Sequence, residues 1–116
     1  MKSAYEAGLM PTNHTDAFVV PIDQMLATWS AVNRVSRNGE IIGAEERISP
    51  YLTLKAITIS AAYQYFEEGS KGSLEVGKRA DLVVLSDNPV TVDPMAIKDI
   101  KVIETVKDGK TVFQAQ

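Results

Sequence analysis

Gly72-Ser73-Leu74-Glu75-Val76-Gly77-Lys78-Arg79-Ala80-Asp81-Leu82-Val83-Val84-Leu85 is a glycine-punctuated loop running into four consecutive apolar residues. An unbroken Leu-Val-Val-Leu run predicts a β-strand covered on both faces, because a half-exposed strand alternates apolar with polar residues. Asp87-Asn88-Pro89 stops it, and a short helical turn is expected from Pro94 to Ile97. The tail reads as a hairpin, with strands over Lys101 to Val106 and Lys110 to Phe113 joined by Asp108-Gly109. Asp-Gly is a strong signal for a two-residue hairpin turn, since both positions need positive φ. Three strands, one of them apolar on both sides, leave backbone groups and valine surface in need of more sheet than this chain supplies. Either the chain pairs with a second copy of itself as a homodimer, or the missing strands belong to an upstream region.

The same loop has the glycine and lysine spacing of a phosphate-binding loop, Gly72 to Lys78, but its context is wrong. That device needs a preceding strand, a following helix and a hydroxyl residue after the lysine, whereas Arg79 follows and a strand comes next. A structural loop is the better reading.

Upstream of Gly69 the pattern is helical. Lys2 to Ala7 reads as one or two turns closed by Gly8, followed by the short, mostly apolar segment Leu9 to Asn13, which reads as a buried strand. A helix is expected from Pro21, with Ile22, Met25, Leu26, Trp29 and Val32 on one face. Arg37-Asn38-Gly39 ends it in a loop. Ser49-Pro50 then caps a second helical segment ending around Glu68-Gly69, for which one continuous helix and two short ones broken near Ser60 are equally favoured. The fold class is therefore α+β: helices first, strands second, with no internal repeat.

Composition narrows the function. A chain of 116 residues with 45% hydrophobic content fits one domain or a part of one. A net charge of −3 with scattered basic residues offers nothing to nucleic acid. No apolar run approaches the roughly 20 residues that span a bilayer, and Met1 to Gly8 is no signal peptide, so a cytoplasmic location without membrane contact is expected. The absence of cysteine removes thiolate metal sites and disulfides. His14 and Asp16, two apart at the end of the expected strand, share a face and can both address a cleft, although such a pair is more often locally hydrogen-bonded than a metal site. A catalytic zinc needs about three protein ligands. With His14 as its only histidine, the chain cannot supply a histidine-rich site, so no cofactor is expected for it in isolation.

The run His14-Thr15-Asp16-Ala17-Phe18-Val19-Val20-Pro21 and the helix Met25 to Arg34 resemble the amidohydrolase superfamily, specifically amidohydrolase family 3. Glu46-Arg47-Ile48-Ser49, Ala56 to Tyr63, Lys71 to Leu85, Asp87-Asn88-Pro89 and Val102 to Val106 with Gly109-Lys110 extend the resemblance over nearly the whole chain. The resemblance implies a (β/α)₈ TIM barrel carrying a divalent metal, zinc being the best match, and a composite β-sandwich built from both chain ends. Residues 1–66 then hold the last βα unit of the barrel and residues 67–116 the carboxy-terminal strands of the sandwich. It further implies hydrolysis of carbon–nitrogen bonds other than peptide bonds in a small-molecule amide. Asp16 matches the family's metal-contacting aspartate, the general acid/base, within a complete barrel, and His14 is a possible neighbour of the site. The remaining metal ligands of the family are absent from this sequence, which leaves a non-catalytic, self-associating module as the alternative.

Overall fold

The computed structural model describes residues 1–116. Its elements are α1 (Lys2–Glu6), α2 (Gln24–Asn33), α3 (Pro50–Ile57), α4 (Ile59–Gln64), β1 (Leu82–Leu85), β2 (Val102–Lys107) and β3 (Lys110–Gln114), with 3₁₀ turns at Ala44–Glu46 and Pro94–Asp99. The α+β order expected from the sequence is the one observed.

α2 begins at Gln24, three residues after Pro21, because Asp23 competes successfully for the start. Its Oδ1 accepts the amides of Met25 (2.9 Å) and Leu26 (3.0 Å), satisfying two of the donors that a helix start leaves free. Ile22 therefore stays outside the helix and exposed, while Met25, Trp29 and Val32 form the buried stripe. Ser49 caps α3 as expected, its Oγ accepting the Leu52 amide with Pro50 in the first turn. The break falls at Thr58, whose φ of −124° and ψ of −93° leave the helical region, and α4 ends at Gln64, earlier than Glu68.

The sheet has the order β1-β2-β3 and is antiparallel throughout. Asp108 (φ 49°) and Gly109 (φ 74°) make the hairpin turn, and Lys107 pairs with Lys110 across it. Asp81 braces that turn, its Oδ1 accepting the Asp108 amide at 2.8 Å. The phosphate-loop spacing is absorbed locally: Lys78 Nζ donates to Ser73 Oγ at 2.6 Å and pairs with Glu75 at 3.5 Å. At the helical end of the loop Glu67 is bonded by Lys71 and lies 3.9 Å from Arg79, which together hold its carboxyl below the usual carboxylate range.

The sequence expectation of a strand at Leu9 to Asn13 is not met. No strand forms there, and Leu9 (62%) and Met10 (43%) are exposed. A strand exists only through hydrogen bonds to a neighbour, and no other segment of this chain lies alongside. β1 departs in the same sense. Val83 and Val84 are 49% and 42% exposed, so the Leu82 run is not covered on both faces.

Only 16 of 116 residues are buried, and the apolar cluster at the centre is small: Trp29 and Val32 of α2 against Ile97 of the 3₁₀ turn. Asn33 ties the same elements together, its Nδ2 donating to the carbonyls of Trp29 (3.1 Å) and Pro94 (2.9 Å). The accessible surface is 7828 Å², whereas a self-contained 12.7 kDa globule exposes about 6,200 Å². The radius of gyration, 14.7 Å, exceeds the roughly 13.4 Å of a compact domain of this length. The excess of about 1,600 Å² is comparable to the whole area of a standard protein interface. It includes Phe18, Leu74, Val76 and Phe66, all strongly exposed.

Candidate functional site

The polar group at 13–16 is held by local bonds rather than by a sheet. Asn13 Nδ2 donates to the Ala27 carbonyl on α2 at 2.9 Å. Thr15 is buried, while His14 and Asp16 on either side of it are exposed. The Asp16 amide donates to His14 Nδ1 at 3.0 Å, and the Asp16 carbonyl accepts the Val19 amide at 2.8 Å. Asp16 itself sits at φ 49°, in the left-handed region that aspartate tolerates better than most residues. His14 and Asp16 are neighbours in this turn, but not as two side chains sharing a strand face: the contact joins a ring nitrogen to a backbone amide and leaves the carboxylate free of the imidazole.

A cleft of about 930 Å³ opens beside this turn, between the 12–15 segment, α2 and the loop that follows α2. His14 lines it and Asp16 does not. Arg37, also lining it, reaches back to the Val19 carbonyl (3.5 Å), and Arg34 Nε donates to the Ile42 carbonyl (2.9 Å). Neither guanidinium is paired with a carboxylate. Lys98 lies 5.1 Å from the centre of the Trp29 ring, a cation–π distance. Glu46 lines the same cleft, but the amino-terminal ammonium and Ser3 bind it and hold its carboxyl down to about 2, so it stays a carboxylate at neutral pH and is no proton donor. The Asn13 anchor, the burial of Thr15 and the Arg37 contact were missed by sequence reasoning. Asn13 was visible as part of a polar group, but its partner is a carbonyl fourteen residues away that no local pattern marks.

A divalent cation does not fit this chain by itself. No three His, Cys, Asp or Glu side chains converge in a way that could hold a metal ion, and the one histidine already uses Nδ1. By donor count and placement, any metal chemistry needs ligands from outside these residues.

Comparison with known proteins fits that incompleteness. The chain is 30% identical over 116 residues to the protein named "Putative amidohydrolase YtcJ" of Bacillus subtilis (strain 168), covering 97% of this chain and 22% of that protein. It is 29% identical over 112 residues to the N-substituted formamide deformylase of Arthrobacter pascens, covering 94% of this chain and 20% of that one. The chain therefore spans about a fifth of the length of the curated relatives it matches. Among solved structures, the amidohydrolase from Thermotoga maritima MSB8 superposes with a TM-score of 0.69 at 24% identity, over 96% of this chain and 24% of that one. The profile of the amidohydrolase family matches residues 1–113, and on that match the chain belongs to the amidohydrolase family.

Proposed function

We propose that the chain is the carboxy-terminal portion of a metal-dependent amidohydrolase that hydrolyses carbon–nitrogen bonds of small-molecule amides, in the cytoplasm. Residues 1–66 contribute the last strand and helices of the TIM barrel, and residues 67–116 the carboxy-terminal strands of the β-sandwich. The histidine ligands of the zinc or other divalent cation come from an upstream barrel region, the principal partner in this reading. Asp16 is the one carboxylate the chain contributes to the site and the group that passes a proton from water to the leaving nitrogen. In such barrels the chemistry sits at the carboxy-terminal ends of the strands, and Asp16 directly follows the segment that would be the last one.

The observation that carries the reading is the excess accessible surface, with large apolar side chains exposed on it, on a chain whose family relatives are about five times longer. The 9–13 segment, apolar in part and without a strand partner, supports it from the structural side: in this reading the rest of the barrel supplies its neighbours.

Reconstitution tests it. The chain is mixed with the upstream part of the Bacillus subtilis relative, and metal content and amine release from an N-substituted formamide are measured. The expected result is a one-to-one complex that binds metal and turns over, with Asp16→Asn retaining assembly and losing activity by about 10²-fold or more. Stoichiometric metal and amide turnover by the 116-residue chain alone would refute the proposal.

The alternative, a non-catalytic module that self-associates, is favoured by a different feature: β1 and β3 each present an open edge. Sedimentation of the isolated chain separates the two. A stable dimer indifferent to the upstream partner supports the module.

A further inference from the structure

We infer that the cleft beside α2 is the groove that receives an acidic segment of the upstream barrel region, with Arg34, Arg37 and Lys98 as its contacts to carboxylates. The inference rests on the amidohydrolase reading above and names the chemistry of the partner surface which that reading requires. The cleft wall carries these cations and, against them, the single carboxylate of Glu46. Glu46 is already bound by the amino-terminal ammonium and the Ser3 amide. None of the three cations has a carboxylate within ion-pair distance, although the chain as a whole is acidic, with a net charge of −3. Positive charge is therefore concentrated on one concave face of a negative chain, and such a face selects a partner of opposite sign.

The cations belong to the side of the cleft that has its own supports. Asp23 caps α2 at its start, and Arg34 closes it at φ 59°, its Nε donating to the Ile42 carbonyl and its own carbonyl accepting the Ile42 amide at 2.9 Å. Val35 and Ile41 bridge next to that pair, so Arg37 lies at the tip of a short hairpin. Lys98 follows Ile97, which is packed against Trp29 and Val32. The same cleft is lined by the buried apolar side chains of Ala27, Trp29 and Ala31, whereas Arg37 and Lys98 are exposed. An apolar floor under a charged rim is the anatomy of a protein interface, and a free inorganic anion would leave the floor unused. The excess surface of about 1,600 Å² matches a standard interface, and relatives about five times longer have the chain to cover it. A second copy docked face to face through this groove would set like charges against each other, which favours the upstream region as the occupant.

Assembly of the full chain with the upstream part of the Bacillus subtilis relative tests the groove. Opposed charges predict a Kd that rises by about tenfold or more between about 50 mM and about 0.5 M NaCl. Reversing two of them, Arg37→Glu with Lys98→Glu, is expected to weaken assembly by at least about tenfold, while Arg37→Lys with Lys98→Arg keeps it. A control with the same change in net charge, Lys55→Glu with Lys110→Glu, is expected to assemble as wild type does. Circular dichroism of each variant alone checks that the helices are intact, and Arg37→Gln with Lys98→Gln replaces the reversal if they are not. Carbodiimide coupling condenses an amine with a carboxylate in contact, with loss of water. Peptide mass spectrometry is expected to find Lys98 joined to an Asp or Glu of the partner. Salt-independent assembly, a reversal variant no weaker than the control, or coupling only at other lysines overturns the inference. The two readings fail separately. A salt-sensitive complex without hydrolysis overturns the amidohydrolase reading alone, an active complex indifferent to salt and reversal overturns the groove alone, and the absence of any complex overturns both.

Discussion

Substituting Gly72 by alanine places a methyl group where the loop after α4 presses into the break between α3 and α4. A Cβ there would stand 2.7 Å from the Ala62 Cβ, 3.0 Å from the Ile59 Cα and 3.2 Å from the Thr58 carbonyl oxygen. Two of those neighbours are backbone and cannot turn aside, so either the loop lifts or the two short helices part. Relieving such overpacking costs about 1–3 kcal/mol. The φ of +89° adds about 1 kcal/mol for any L-residue, and the lower conformational entropy of the unfolded alanine chain offsets about 0.7 kcal/mol of the total. The net expectation for Gly72→Ala is a destabilisation of about 1–3 kcal/mol. Gly77 supplies the control, since its φ is +93° but nothing lies within 4 Å of its would-be Cβ. Gly77→Ala isolates the backbone term, expected below about 1 kcal/mol. Urea unfolding followed by circular dichroism reads both. A gap of about 2 kcal/mol between the variants corresponds to a midpoint difference of about 1 M at an m-value of about 2 kcal/mol/M. Equal midpoints for the two variants would mean that the Gly72 contact with the α3–α4 break is not formed.

Other perturbations probe the joints of the fold. Ser49→Ala removes the cap of α3 and is expected to cost about 1 kcal/mol, whereas Ser49→Gly should cost only about a few tenths, both by thermal or urea melting. Asn33→Ala leaves the Pro94 carbonyl without its partner and is expected to cost about 2 kcal/mol; a loss no greater than that of an exposed alanine substitution would argue against the contact. Glu67 has a lower pKa folded than unfolded, because Lys71 bonds it and Arg79 lies near. Its stabilising contribution is therefore complete above the ordinary carboxylate range and lost as pH falls through the lower folded value. Lys71→Met should flatten the acid limb of the stability profile. An unchanged slope between the two chains below the normal carboxylate pKa would contradict the pairing.

Local chemistry was legible wherever the chain contains its own partners. Asp108-Gly109 specifies its turn and Ser49-Pro50 its cap, so these features lie at their sequence signals, whereas the run Thr58-Ile59-Ser60 left one helix or two open and the structure has two. The start of α2 was misplaced because Pro21 is an acceptable first-turn residue but Asp23 is a better cap. Leu9 to Asn13 and the two-sided burial of β1 failed for a common reason. Their apolar residues meet no covering segment in this chain, and local sequence pattern records that a side chain is apolar without recording what would cover it. At the site, the i and i+2 spacing was a strand argument and no strand forms; the bond from the Asp16 amide to His14 belongs to a turn with a left-handed φ at Asp16 that spacing does not reveal.

Ile97 has no exposed surface and lies against Trp29 and Val32, although it belongs to the stretch between β1 and β2. A premature stop or a proteolytic nick is therefore unequal in effect on its two sides. A product ending at Ile100 sheds the hairpin but keeps the plug in the helical half, together with the Asn33 tie to Pro94. One ending at Leu85 opens a hole beneath Trp29, and the helices before it lose the side chain on which their shared packing closes.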